Sequence, residues 1–411
     1  MSEKAQEVSV DQLREILNRH HENPRIVLSG NLATPAIAVT LVDEAFATAK
    51  LNMLNAVREL PIRNGLTLET AFVGSAMRDK PTLRYAPCRL SMVPVLFRTE
   101  MVPDIVMVHT SLPRKGKVSL GIEVNVLPGA IEAAKSNNGL VIAFTNPNMP
   151  YTYGDSEIEL DTFDYLVEID EPLMELPEHK QGQAAKRIGK RIAKRIDDGS
   201  TLQLGIGAIP DAVLSQVKAK GLRIWTETFS DGVLELERKR VLDQDHLIHS
   251  SFLIGSHELY GWADQNPRIR MLRTETTNNP AQISKNNAMT SINAALQFDL
   301  HGQANASQLR GRIFSGFGGS TDFIVGAIHS KGGRAYMALP SWRKKANVST
   351  IVPQLDVPAT SFQQNAVVTE QGMAWLFGYD EREQAHHIIN KAAHPDAREE
   401  LREAAAKFGA Y

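Results

Sequence analysis

Short apolar runs alternate with amphipathic stretches along nearly the whole chain, and the spacing of the apolar positions predicts which run is strand and which is helix. The N-terminal stretch MSEKAQEVSVDQLREILNRH reads as an amphipathic helix. Arg25-Ile26-Val27-Leu28-Ser29-Gly30 is a continuous apolar run closed by a glycine turn, hence a buried strand, and Pro35 then opens a helix carrying Val39, Val42 and Phe46 on one face. Strands are predicted over 67–73, 105–110, 139–144 and 165–169, with a helix over 129–135 between the middle pair. From 183 to 196 a helix puts Ile188, Ile192 and Ile196 on one face and Lys186, Arg187, Lys190, Arg191, Lys194 and Arg195 largely elsewhere. The same grammar resumes with strands over 201–204, 222–225, 247–254, 290–297, 312–314, 335–339 and 366–369, a helix over 211–220, and a last helix over 396–408 that Pro395 introduces.

Alternation of this kind implies an α/β fold with mainly parallel sheets covered by helices. A chain of 411 residues exceeds one ordinary core, so two domains are expected. Asp197-Asp198-Gly199 ends the basic helix, and the boundary is placed there, giving 1–197 and 198–411.

The stretch from Thr201 to Val233 organises the second half. A strand leads into the turn Gly205-Ile206-Gly207-Ala208-Ile209-Pro210, a helix and a second strand follow, and Glu227 stands at the carboxyl end of that second strand. Ligands of open parallel sheets bind outside the carboxyl ends of the strands, so the glycine turn and Glu227 are expected on one rim. A dinucleotide fingerprint is a competing reading, with Glu227 as the ribose-binding acid, but Pro210 stands where its third glycine belongs. The bland alternative is an ordinary βα turn followed by a solvated glutamate. Ser315-Gly316-Phe317-Gly318-Gly319-Ser320 is a second glycine loop, either a tight connection or a cradle of backbone N–H groups for an anion or oxyanion.

Composition removes several function classes. A formal net charge of −2 gives no global pull toward nucleic acid or an anionic membrane, and the six cations of the 183–196 helix read as a solvated face with a share in attracting anionic ligands. Cys88 is the only cysteine, so no internal disulfide and no cysteine-rich metal site is expected, and a reducing, cytoplasmic setting fits. No apolar run is long enough to span a membrane and the N-terminus does not read as a secretory signal. Motifs of zinc peptidases, serine hydrolases and P-loop enzymes are absent. What remains is carboxylate chemistry at Glu227, and a carboxylate attacks a carbonyl productively only when the substrate is activated, as a thioester is, and the oxyanion is stabilised.

The run Leu202-Gln203-Leu204-Gly205-Ile206-Gly207-Ala208-Ile209-Pro210-Asp211-Ala212-Val213, then Thr226-Glu227 with Ser230-Asp231-Gly232, Gly302-Gln303-Ala304-Asn305, Ser315-Gly316-Phe317-Gly318-Gly319 with Asp322-Phe323, Ile351-Val352-Pro353, Val367-Val368-Thr369-Glu370 and Ala393-His394-Pro395 resembles the acetyl-CoA hydrolase/transferase family, in its 4-hydroxybutyrate CoA-transferase branch. The resemblance runs from about Ser29 to the C-terminus. It implies two related CoA-transferase-type α/β domains with the active site between them, acyl-CoA and a small carboxylate as substrates, no tightly bound cofactor, no metal, and a homodimer. It implies that Glu227 carries a glutamyl-CoA thioester, that Leu204, Gly205, Ile206, Gly207 and Ala208 bind CoA with Asn293, Gly316 and Phe317, and that Gly318 and Gly319 serve the oxyanion. Trp225 stands where the family has His, Phe362-Gln363-Gln364-Asn365-Ala366 replaces a pattern ending in Asp-Val, and Gly378-Tyr379 replaces Gly-Lys, which makes Asn365 and Tyr379 further CoA-site candidates. A hydrolase on the same site and a non-catalytic CoA-binding protein are the alternatives.

Overall fold

A computed structural model describes residues 5–20, 22–176, 181–357 and 364–407. Contacts group the chain into two compact units. The first holds the described residues up to 176 together with Ile248–Thr277 and Ile313–Gly318, and the second holds the rest. The units are therefore discontinuous in sequence, whereas the expected division is a single cut after residue 197.

In the first unit eight strands form a wholly parallel sheet among the described residues: β1 Gln6–Glu7, β2 Arg25–Leu28, β3 Ala49–Asn52, β4 Leu66–Thr70, β5 Leu83–Tyr85, β6 Ile105–Thr110, β7 Leu140–Thr145 and β8 Tyr165–Glu168. Their order is β1-β8-β7-β6-β2-β3-β4-β5, so the winding reverses between β2 and β6. Helices α1 Val10–Asn18, α2 Ala36–Ala45 and α3 Leu127–Ser136 cover the sheet. Ser9 starts α1 with a capping box, its hydroxyl accepting from the Gln12 N–H while the Gln12 side chain accepts from the Ser9 N–H. Six consecutive buried residues in β6 fit a strand covered on both faces. Strands Ile248–Ser250, Ile269–Met271 and Tyr153–Gly154 form a small parallel sheet of the same unit.

The second unit has six strands, β9 Thr201–Leu204, β10 Arg223–Ile224, β11 Thr290–Ala294, β12 Arg334–Ala338, β13 Ala366–Val368 and β14 Met373–Trp375, ordered β10-β9-β11-β12-β13-β14. All neighbours are parallel except the edge pair β13 and β14. Here the winding reverses between β9 and β11, which places a switch point where β9 runs out into Gly205. Helices α4 Gln183–Ala193, α5 Ala208–Leu214, α6 Asp231–Arg238 and α7 Ser320–His329 belong to this unit. Ile188, Ile192 and Ile196 are buried, as their spacing predicts. Gly189 lets α4 approach α5, since a Cβ there would stand 2.5 Å from the Ala212 backbone.

Several boundaries differ from expectation. Helix α5 ends at Leu214 rather than 220, where the Ser215 hydroxyl and the Gln216 amide both donate to the Ala212 carbonyl and divert it from the helical ladder. The run 247–254 breaks into Ile248–Ser250 and Phe252–Leu253, with the Ser250 hydroxyl donating to the Phe252 carbonyl across the break. Strand β11 stops at Ala294, and Gln297–Asp299 forms a separate strand. The terminal segment is a short turn, Pro395–Ala397, followed by helix Arg398–Lys407; residue 408 lies outside the described residues.

Candidate active site

Strands β9 and β10 end side by side, and Thr226 fixes their ends. Its hydroxyl donates to the Leu204 carbonyl at 3.0 Å and accepts from the Leu204 N–H at 3.3 Å, so the next residue, Glu227, is held at the same rim as the glycine turn. Gly207 has φ +122°, a conformation open to glycine, and it begins α5. A Cβ added at Gly205 or Gly207 would meet nothing within 4 Å, and Ile206 is exposed, so the turn borders open space. The backbone N–H groups of Gly205, Ile206 and Gly207 donate to no described protein acceptor.

Glu227 is partly enclosed. Its Oε2 accepts from the Asn278 Nδ2 at 2.5 Å, and Asn278 itself is fully buried. Gly319 closes the other side: a Cβ there would lie 2.0 Å from Glu227 Oε2 and 2.2 Å from Asn278 Nδ2. With φ −102°, Gly319 is not required for its backbone angle but for the room it leaves the carboxyl. It is also the residue before α7, so the carboxyl sits close to the positive end of that ten-residue helix. Burial pushes the Glu227 carboxyl up to about 7; the Asn278 hydrogen bond opposes the rise, and the nearby charge of the buried Asp322 adds to it. The N–H groups of Gly318 and Gly319 donate to no described protein acceptor. A carboxylate whose pKa lies near neutrality, next to Gly319 with its uncommitted N–H, suits nucleophilic attack with oxyanion stabilisation.

Within the second unit Leu204, Gly205, Ile206, Gly207, Ala208, Glu227 and Gly319 thus share the carboxyl-end rim. Asn293 lies next to it in β11, donating to Ser291 Oγ at 2.8 Å in a buried network with Gln203. Asn365 does not reach this rim. It precedes β13 at the opposite end of the sheet, where its Oδ1 accepts from the Ala335 N–H at 2.6 Å. Tyr379, beyond the end of β14 that pairs with Ala366, stacks edge-on against His387 at 4.6 Å and is exposed. Phe362 and Gln363 lie outside the described residues. Trp225 packs on the apolar core of the unit. Asn278 and Asp322 are the residues that sequence reasoning did not assign to the site; the polar Asn278-Asn279-Pro280 loop and the Asp322-Phe323 pair were their only marks.

In the first unit, Gly316 to Gly318 is pinned by backbone contacts. Gly316 bridges Phe72, the Gly318 carbonyl accepts from the Leu90 N–H at 3.0 Å, and a Cβ at Gly316 would stand 2.6 Å from the Ala71 carbonyl oxygen. At the switch point beside β2 the buried Glu123 accepts from the Gly30 N–H and the Asn125 amide, each at 3.2 Å, and burial pushes its carboxyl up to about 7. His109 contacts the Ala33 carbonyl through Nδ1 and Asn146 Nδ2 through Nε2, both at 2.8 Å, and burial lowers its pKa to about 4.

The chain matches the acetyl-CoA hydrolase/transferase N-terminal domain over residues 4–176 and the C-terminal domain of the same name over 255–405. It is 42% identical to the 4-hydroxybutyrate coenzyme A transferase of Clostridium kluyveri over 346 residues, 80% of each chain. The chain belongs to the acetyl-CoA hydrolase/transferase family. Its fold superposes on RipA from Yersinia pestis with a TM-score of 0.90 at 28% identity, covering 98% of both chains. The acetyl-CoA hydrolase of Kluyveromyces lactis is a more distant match, 31% identical over 47% of this chain. The protein is thus an enzyme of the CoA-transferase type, as the motif series implies. Among the described residues no helix is long and apolar enough to cross a membrane, and no group of three His, Cys, Asp or Glu side chains is close enough to hold a metal ion.

Proposed function

We propose that the enzyme moves CoA between an acyl-CoA and a small carboxylate of the acetate, butyrate or 4-hydroxybutyrate class, through a thioester on Glu227. The observation that carries this reading is the Glu227 carboxyl, hydrogen-bonded to Asn278 at 2.5 Å and seated against Gly319. A glutamate oxygen attacks the acyl-CoA carbonyl carbon, the C–S bond breaks, and CoA thiolate leaves a mixed anhydride. The thiolate then attacks the Glu227 carbonyl carbon and expels the first carboxylate, giving glutamyl-CoA. A second carboxylate attacks that thioester, and the steps run in reverse to release a new acyl-CoA and free Glu227. The open glycine turn at the β9 switch point is the CoA contact in this scheme, and the uncommitted N–H groups of Gly318 and Gly319 are the oxyanion donors. No step calls for a metal or a bound cofactor. The family likeness supports a homodimer, and the single cysteine fits a reducing, cytoplasmic setting.

Incubation with acetyl-CoA and no acceptor, followed by intact-mass measurement, tests the covalent step. A CoA adduct that is absent from Glu227→Ala is expected. No adduct with any of several short acyl donors would leave only a CoA-binding protein.

A further inference from the structure

We propose that the exposed side of α4 is a binding site for an oligophosphate, distinct from the acyl-transfer site. Packing explains only half of this helix: Ala185, Ile188, Gly189, Ile192 and Ala193 are buried, and Gly189 is fitted against Ala212. The other side carries Lys186, Arg187, Lys190, Arg191, Lys194 and Arg195, all exposed, and among the described residues none of the six is in an ion pair with a carboxylate. Elsewhere exposed cations of this chain do find acids, as Arg19 does with Glu15, Arg84 with Glu69 and Arg238 with Glu235. Like charges at i,i+4 on one helix destabilise it, so an uncompensated stripe is a cost without a structural return. Favourable interaction with the carboxyl end of the helix accounts for a cation or two in the last turn, not for five along one groove.

The stripe also has a shape. Arg187, Lys190, Arg191, Lys194 and Arg195 line a pocket of about 490 Å³ with Met373, the size of a small-molecule site. Arg191 is already oriented, its Nη2 donating to the Glu370 and Gln371 carbonyls at 3.1 and 2.9 Å, neutral acceptors that leave its charge uncompensated. From Arg187 to Lys194 the cations extend about 10 Å along the axis at the helical rise. That length engages two or three linked phosphates and gives a single phosphate only part of the site. The concave form favours a small ligand over a duplex, which needs an extended surface. Oligophosphate chemistry has two sources here, a free nucleotide or inorganic oligophosphate, and the phosphate-bearing end of CoA itself; the proposal is the former.

The test is calorimetric titration of the full-length protein with inorganic tripolyphosphate, beside the variant Lys190→Gln/Lys194→Gln, whose side chains make no hydrogen bond to another described residue. Saturable binding is expected, about ten-fold weaker in the variant and weaker again when salt rises from about 50 to 200 mM. Acyl-transfer kcat and the KM for acyl-CoA should be unchanged in the variant. Absence of saturable binding, or equal binding by both proteins, overturns the proposal. A variant whose KM for acyl-CoA rises in step with the lost affinity makes the groove a substrate subsite, and a duplex DNA or anionic vesicle bound more tightly than tripolyphosphate makes it a macromolecular surface; either result overturns it as well.

Discussion

Gly319 and Glu227 share one space: the position a Cβ would take at residue 319 lies 2.0 Å from the Glu227 carboxylate oxygen. Gly319→Ala is therefore expected to displace the Glu227 carboxyl, the proposed nucleophile, rather than the fold. The transfer rate should fall about 10²-fold or more, on the scale of a lost oxyanion donor, while the thermal transition moves little. Gly318→Ala differs, because φ there is +57° and the added cost is backbone strain of about 1–2 kcal/mol. Single-turnover rates and melting curves for both variants separate displacement from strain, and normal transfer by Gly319→Ala would remove the contact from the mechanism.

Asn278 donates to the carboxylate form of Glu227, so its loss should raise the pKa of that carboxyl further above 7. For Asn278→Ala a fall of about ten-fold at pH 7 is expected, with partial recovery at pH 8.5 as the acid ionises. A rate profile of unchanged shape would mean that the amide does not tune the nucleophile.

How far the site was legible follows from these residues. Glu227 stands directly after a strand and Gly205 to Gly207 in a turn, and both are local signals that sheet geometry turns into a shared rim. The Gly318-Gly319 pair was visible as a flexible loop, but which glycine makes room for the acid depends on a contact between residues 92 positions apart, read from 319 and 227. Asn278 is one polar loop residue among many; only tertiary structure brings it to the carboxyl. Asn365 shows the reverse, since its place one residue before β13 puts it at the end of the sheet away from Leu204, where a backbone-like hydrogen bond to Ala335 occupies it. Strands β6 and β7 were readable as apolar runs, whereas β1, β3 and β5 are short, carry polar residues and were not anticipated; the breaks at 215 and 251 arise from side-chain hydrogen bonds to backbone that carry no periodic mark.

The raised carboxyl pKa values fix the sign of a stability effect. Glu227 and Glu123 each hold a proton more tightly in the folded state, with pKa about 7 against 4.5 unperturbed. The folded state thus binds more protons between pH 4.5 and 7, and stability falls as pH rises through that window. Glu227→Gln should be more stable than the parent above pH 7 by on the order of 1 kcal/mol and no more stable at pH 4. Denaturant titrations at the two pH values check it. The wild-type transfer rate should rise over the same range, with its midpoint near pH 7.

Transfer should exceed hydrolysis. A hydrolase needs a base for water, and His109 is committed at both ring nitrogens, with its pKa lowered to about 4 by burial. CoA release from butyryl-CoA alone should be slow, and added acetate should speed acetyl-CoA formation by at least about an order of magnitude over that leak. Fast release indifferent to added carboxylates would reverse the assignment.

The interleaving of the two units has a consequence for synthesis on the ribosome. Strand Tyr153–Gly154 waits for Ile269–Met271, and the first unit gains its last segment, Ile313–Gly318, only after much of the second has been made. At translation rates of about 5–20 residues per second, the interval between the first unit's main body and its completion is roughly 10–30 s. During that time the nascent first unit lacks the strands that complete its small sheet, so an N-terminal fragment ending near residue 197 should be prone to aggregation and co-expression of the two halves should yield little assembled protein.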